Sequence, residues 1–169
     1  FNPFMVMILI PLTNKGIYPL MERLGFNPHP LRRMTVGMFI TAISFVAVAL
    51  IQHALDGGTK LHFFWQAIPY LIITMAEVMV SITGLEFGYS QAPKRMKSVV
   101  MGFWLLTVAF GNVIVSLIAG MKQTVDPITK EASGLAPATF FWVFAGLMAL
   151  AAIGFGFRAK FYKYRDVTQ

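Results

Sequence analysis

Four runs of about twenty mostly apolar residues, 34–55, 63–87, 99–121 and 136–157, dominate this chain of 169 residues. Each has the length an α-helix needs to cross a hydrocarbon core roughly 30 Å thick. In lipid every backbone N–H and C=O must be satisfied within the protein, so runs of this kind fold as helices that close their own hydrogen bonds. A fifth apolar stretch, residues 1–20, contains Pro3 and Pro11 and continues through Thr13, Asn14 and Lys15 to Leu20. It has no initiator Met, basic n-region or small-residue cleavage site, so it reads as part of a helix rather than a signal peptide, and the chain is expected to begin inside that helix. The expected class is all-α: a polytopic membrane helical bundle of about five spans over residues 1–169, with no internal repeat, heptad run or low-complexity tract.

Composition agrees with a lipid solvent. Hydrophobic residues make up 57% and charged residues 12%, with a mean hydropathy of +0.67, which leaves too little polar surface to solvate a folded soluble monomer. The formal net charge of +7 does not point to nucleic acid, because the cations sit in clusters between apolar segments rather than on one face of a soluble domain. The absence of cysteine removes any disulfide framework or thiolate metal site.

The connecting segments predict orientation, because short cytoplasmic loops carry an excess of Lys and Arg. Lys15, Arg23, Arg32 and Arg33 against Glu22 leave a balance of +3, as do Lys94, Arg95 and Lys97, and as do Arg158, Lys160, Lys163 and Arg165 against Asp166. The intervening loops cancel, Asp56 with Lys60, and Asp126 and Glu131 with Lys122 and Lys130. The C-terminus is therefore expected in the cytoplasm and Phe1 towards the outer side. An odd number of spans starting outside fits a segment preceded by further helices; a complete five-helix protein is the alternative organisation.

Polar residues within the spans carry the functional signal, since a carboxylate at the bilayer centre costs several kcal/mol unless paired, neutralised or solvated in a cavity. Glu77 stands near the middle of 63–87. At 100° per residue its face also holds Tyr70, Thr74, Ser81, Gly84 and Gly88, while Ile68, Ile72, Met75, Met79 and Ile82 form an opposite face for lipid or helix packing. Glu86 projects onto that opposite side, close enough to the cytoplasmic end to reach water or the cations of the following loop. The bland role for Glu77 is a buried acid held protonated by neighbouring helices. In the next span Trp104, Thr107 and Gly111 share a face, Asn112 and Ser116 need partners, and Trp104 lies deeper than the interfacial belt where most membrane Trp residues sit. His29, His53 and His62 fall in or beside loops without metal-ligand spacing, and no phosphate loop, nucleophile elbow or pair of intramembrane aspartates is present. No residue set points to an enzyme, a metal or a cofactor.

Several sequence blocks carry a family resemblance. They are Phe1-Asn2-Pro3, Ile10-Pro11-Leu12, Ile17-Tyr18-Pro19-Leu20, Leu31-Arg32-Arg33-Met34 and Val36-Gly37-Met38-Phe39, then Ala76-Glu77-Val78, the run from Ser81 to Lys94, Met96-Lys97-Ser98-Val99 and Trp104-Leu105-Leu106-Thr107. Together they resemble the C-terminal portion of proton-dependent oligopeptide transporters of the major facilitator superfamily, from inside the eighth helix to the twelfth. The match extends to about Gly120, and the outer loop and last span are generic.

The resemblance implies that Glu77 and Asn2 bind the terminal ammonium of a di- or tripeptide and that Ser81 and Trp104 line the same cavity. It also implies proton symport, although the family's coupling cluster on its first helix lies outside these residues. The implied partners are the peptide, protons, the absent N-terminal bundle of the same transporter and the lipid bilayer, and the implied location is the cell membrane, read as a bacterial inner membrane. Two alternatives stand beside this reading: a major facilitator carrier for another solute such as nitrate or an amino acid derivative, and a membrane scaffold without transport. A scaffold has no need of an uncompensated acid at Glu77, and an anion carrier is expected to present Arg there.

Overall fold

The computed structural model describes residues 2–23, 29–58, 62–93, 95–120, 124–125, 132–133 and 136–162. Helix α1 (Asn2–Leu12) runs into a π-helical segment (Thr13–Ile17) and then α2 (Tyr18–Arg23). Two prolines bracket that widened turn. Lacking N–H groups, Pro11 and Pro19 cannot bond to the carbonyls of Met7 and Lys15 as an α-helix requires, and the Tyr18 N–H reaches back to Thr13 O. The Thr13 hydroxyl, fully buried, donates to Leu9 O at 2.6 Å.

Helix α3 (Pro30–Asp56) starts cleanly, with His29 extended at ψ 143° before a proline in the first turn. It stops at Gly57 and Gly58, whose N–H groups bond to His53 O and Leu55 O at 3.1 and 3.0 Å. Gly58 holds φ at +82°, a conformation that disfavours any residue with a Cβ. A short 3₁₀ turn (Phe63–Gln66) leads into α4 (Ala67–Glu77), a second π-helical segment (Val78–Ile82) and α5 (Thr83–Gln91). Helix α6 spans Lys97–Ala119, and α7 spans Pro137–Lys160 with Pro137 again at the start. Between them Thr124–Val125 (β1) and Ala132–Ser133 (β2) form a two-residue antiparallel ladder, a detail the all-helical reading did not anticipate.

Among the described residues four helices are long and apolar enough to cross a membrane: Pro30–Asp56, Phe64–Gln91, Lys97–Ala119 and Pro137–Lys160. Three of them run beyond their apolar stretch at an end that carries basic residues, taking in Arg32 and Arg33, Lys97, or Arg158 and Lys160. Long cationic side chains reach interfacial water while their backbone remains helical, so hydropathy stops before the helix does.

The core is built from small residues, because apolar transfer does not drive helices together in lipid and close van der Waals packing must. Helix α7 lies along α3 and buries Ala138, Ala145 and Ala152, spaced by seven, the repeat that keeps one seam of a helix facing its neighbour. Phe144 stacks on Phe45 of α3 at 5.7 Å between ring centroids. Helix α3 also meets the α4–α5 rod at Gly37, where an added Cβ would lie 2.8 Å from Val80 Cγ2 and 3.0 Å from Met79 Cβ. Further along, Ser44 donates from its hydroxyl to Pro69 O at 2.7 Å, an interhelical bond buried from solvent.

Candidate functional site

The site is organised by the helical rod that runs from Phe64 to Gln91, and within it by the switch from α to π geometry. Glu77 closes α4, and the π segment begins at the next residue with Ser81 inside it. Glu77 is exposed, Ser81 is half-buried, and Met79 between them is fully buried against α3. The rod therefore holds its middle turns by apolar side chains on one side and turns an acid and a hydroxyl away from that contact. A carboxylate at this depth is tolerated where water or a polar partner reaches it; insertion into lipid costs about 2.5–3.5 kcal/mol for an acid at the helix centre.

The π segment changes which residues share a face. Its turns are wider than those of an α-helix, so each residue advances less than 100°. Projecting the rod as a regular α-helix placed Gly84 with Glu77, yet Gly84 is buried; Thr74, which keeps its α-helical phase with Glu77, is buried too, whereas Tyr70 is exposed like Glu77. The same drift leaves Glu86, also exposed, about a quarter turn from Glu77 rather than opposite it. Met79, expected to face lipid or a helix, packs on a helix.

Trp104 reaches the rod from α6. Its indole lies over Gly84, where an added Cβ would come within 2.5 Å of Trp104 Cη2 and 2.9 Å of Cζ3, with Met34 Cε at 3.1 Å. Gly84 is thus the seat that lets a large ring approach the turn that follows Ser81. Trp104 is half-buried, and Thr107 donates to its carbonyl at 2.7 Å, so the hydroxyl needs no partner on another helix. At the loop between α5 and α6 the Lys97 ammonium sits 4.0 Å above the Tyr89 ring, a cation–π contact that ties the two helices where they meet water. Asn2 stands in α1, which packs on α4 and the π segment, but its side chain lies outside the described residues.

Three further residues join α2, α3 and α5 towards the end that carries the basic loops. The Arg33 guanidinium lies 3.9 Å over the Tyr18 ring, and the Tyr18 and Thr83 hydroxyls are 3.5 Å apart. Sequence reading did not single out this cluster or Gly84's role as a seat. Both depend on which helices are neighbours, and a Gly opposite a Trp on another span leaves no periodic signal.

The profile of the POT family matches residues 1–143. The chain belongs to the POT family. It is 46% identical to solute carrier family 15 member 2 of Danio rerio over 115 residues, 66% of this chain and 14% of that protein. It is 30% identical to the peptide transporter PTR2 of Saccharomyces cerevisiae across 100% of this chain and 28% of that one. Among solved structures it superposes on an auto-inhibited POT family peptide transporter with a TM-score of 0.80 at 42% identity, covering 98% of this chain and 33% of the other. The POT family transporter PepTSo gives 0.78 at 42% identity. The chain thus spans a third or less of these POT family relatives, and it is a multi-pass membrane segment of a transporter family rather than an enzyme.

Proposed function

We propose that this chain supplies part of the substrate cavity of a proton-coupled importer of di- and tripeptides, working by alternating access against an N-terminal bundle. The observation that carries the proposal is the exposed Glu77 at the start of the π segment of a helix otherwise held by buried apolar contacts, in a chain belonging to a family whose relatives are named as peptide transporters. In this reading Glu77 receives the peptide ammonium. Asn2 adds an amide oxygen, Ser81 lines the same space, and Trp104, steadied on Gly84, forms a broad wall with one donor. Recognition concentrated on the terminal ammonium suits a carrier that must accept many side chains, because a carboxylate in a low-dielectric cavity is a strong partner for it. Proton coupling uses residues outside this chain.

The test is uptake of labelled dipeptide by the full-length transporter in proteoliposomes. Glu77→Gln removes a charge-assisted contact worth roughly 1.5–3 kcal/mol, so apparent affinity should fall about tenfold to more than a hundredfold. Peptides with a blocked amino terminus should lose little further. Glu86→Gln, an exposed acid about 13 Å further along the rod, should leave affinity nearly unchanged. Wild-type affinity of Glu77→Gln for both free and blocked peptides would make Glu77 a structural acid.

The same reading places the protein in the cell membrane with the basic loops and the C-terminus in the cytoplasm. A single cysteine replacing Arg95 should then resist an impermeant thiol reagent applied to intact cells. Labelling there would invert the orientation.

A further inference from the structure

At the basic end of the α3–α7 pair, away from the Glu77 face, a cleft of about 420 Å³ opens between the start of α3 and the end of α7. Arg32 and Lys160 line it from the two helices, with Thr35 and Gly156 at the helix contact and His29 and Tyr162 at the mouth. The helices come close here because Gly156 has no side chain: a Cβ would stand 3.0 Å from Thr35 Cγ2. The Tyr162 ring is held edge-on against Phe87 at 5.6 Å. Both cations are exposed, and among the described residues no carboxylate lines the cleft. The sequence that follows keeps the balance positive, with Lys163 and Arg165 against Asp166.

We infer that this cleft binds the phosphate headgroup of an anionic phospholipid. Two cations from different helices converge on a space large enough for a phosphate and its glycerol, and both can donate charge-assisted hydrogen bonds to phosphate oxygens. What selects a lipid over a free anion is the surface leading away from the cleft. On α3, Val36, which also lines it, is followed at helical spacing by exposed Phe39 and Ile43. On α7, exposed Phe157, Ile153 and Leu150 recede from Lys160 in the same way. A cationic pocket at the membrane–water boundary that continues into apolar rows matches an amphiphile with a negative head, as basic pockets between membrane helices do. The inference does not depend on what the transporter carries.

The test uses the full-length transporter, delipidated in neutral detergent, with phosphatidylglycerol, phosphatidylcholine and inorganic phosphate as probes and native mass spectrometry as the readout. The wild type should retain phosphatidylglycerol in preference to phosphatidylcholine, and millimolar inorganic phosphate should not displace it. Arg32→Gln combined with Lys160→Gln should weaken retention of phosphatidylglycerol at least tenfold, each single variant less. Removing the same charge elsewhere, with Arg95→Gln and Lys97→Gln, should leave retention unchanged. Equal retention of the two lipids, displacement by phosphate, or equal loss in both double variants would overturn the site, the last by showing diffuse attraction. Dipeptide uptake in phosphatidylcholine vesicles is measured in parallel. Normal uptake by the Arg32/Lys160 variant shows that it is folded, and separates failure of the lipid site from failure of the peptide reading.

Discussion

Helices α7 and α6 have similar lengths and similarly apolar sequences, yet they sit in the molecule very differently. Helix α7 lies along α3 and buries a row of alanines there. None of the residues of α6, all of them described, is buried, and its packing is against α5 around the Trp104 ring. The contrast shows that hydropathy identifies a span without identifying its neighbours. Packing in lipid rewards small residues that bring backbones together, and α7 presents Ala to α3 where α6 leaves Phe103, Leu105, Phe110 and Leu117 uncovered by the rest of this chain.

The largest effect should come from spoiling the close-packed region. Gly37→Val puts three carbons into a space where the first already lies 2.8 Å from Val80 Cγ2, and overpacking of that kind costs typically about 1–3 kcal/mol. Thermal unfolding of the full-length transporter should shift down by several degrees; an unchanged midpoint would mean that α3 and the π segment part easily. A smaller, more local effect is expected where α6 is seated. Gly84→Ala should displace the indole and change Trp104 fluorescence, at a cost of about 1–2 kcal/mol. In a Trp104→Ala background the same change should cost little, and an additive double-mutant cycle would show that the two residues do not meet in the membrane. Smallest of all should be Leu117→Ala on α6, a side chain 69% exposed. Its stability change should stay within about 0.5 kcal/mol, and a loss above 2 kcal/mol would reveal a partner for that face and narrow the contrast with α7.

Much of the fold was legible because lipid imposes length, and the basic clusters mark which ends lie together. The candidate site was legible as a residue type, Glu77 within a span, since few pressures other than function keep an acid there. Its surroundings were less so. An ideal helical projection drawn across Val78–Ile82 grouped Gly84 with Glu77, and the wider π turn breaks that phase; Thr74, in α4 with Glu77, is buried at the edge of the same face. Nothing in the sequence of that segment, which lacks proline and glycine, marks the change, in contrast to the first π turn between Pro11 and Pro19. Gly37 and Gly84 looked like ordinary small residues until the helices opposite them were known.

Within this chain, the seating of α6 near one of its ends gives that helix the geometry of a lever. Its described contacts with α5 run from Lys97 on Tyr89, through Val100 beside Gly88, to Trp104 on Gly84. From Trp104 to Ala119 the helix extends a further 22 Å or so, at about 1.5 Å per residue. Pivoting by roughly 10° at the indole therefore sweeps the far end through about 4 Å, a displacement comparable to the width of a side chain, while the Gly84 contact itself barely shifts. A small rotation at the fulcrum is amplified into a large excursion at the tip, and the gain is fixed by where along the rod the tryptophan stands.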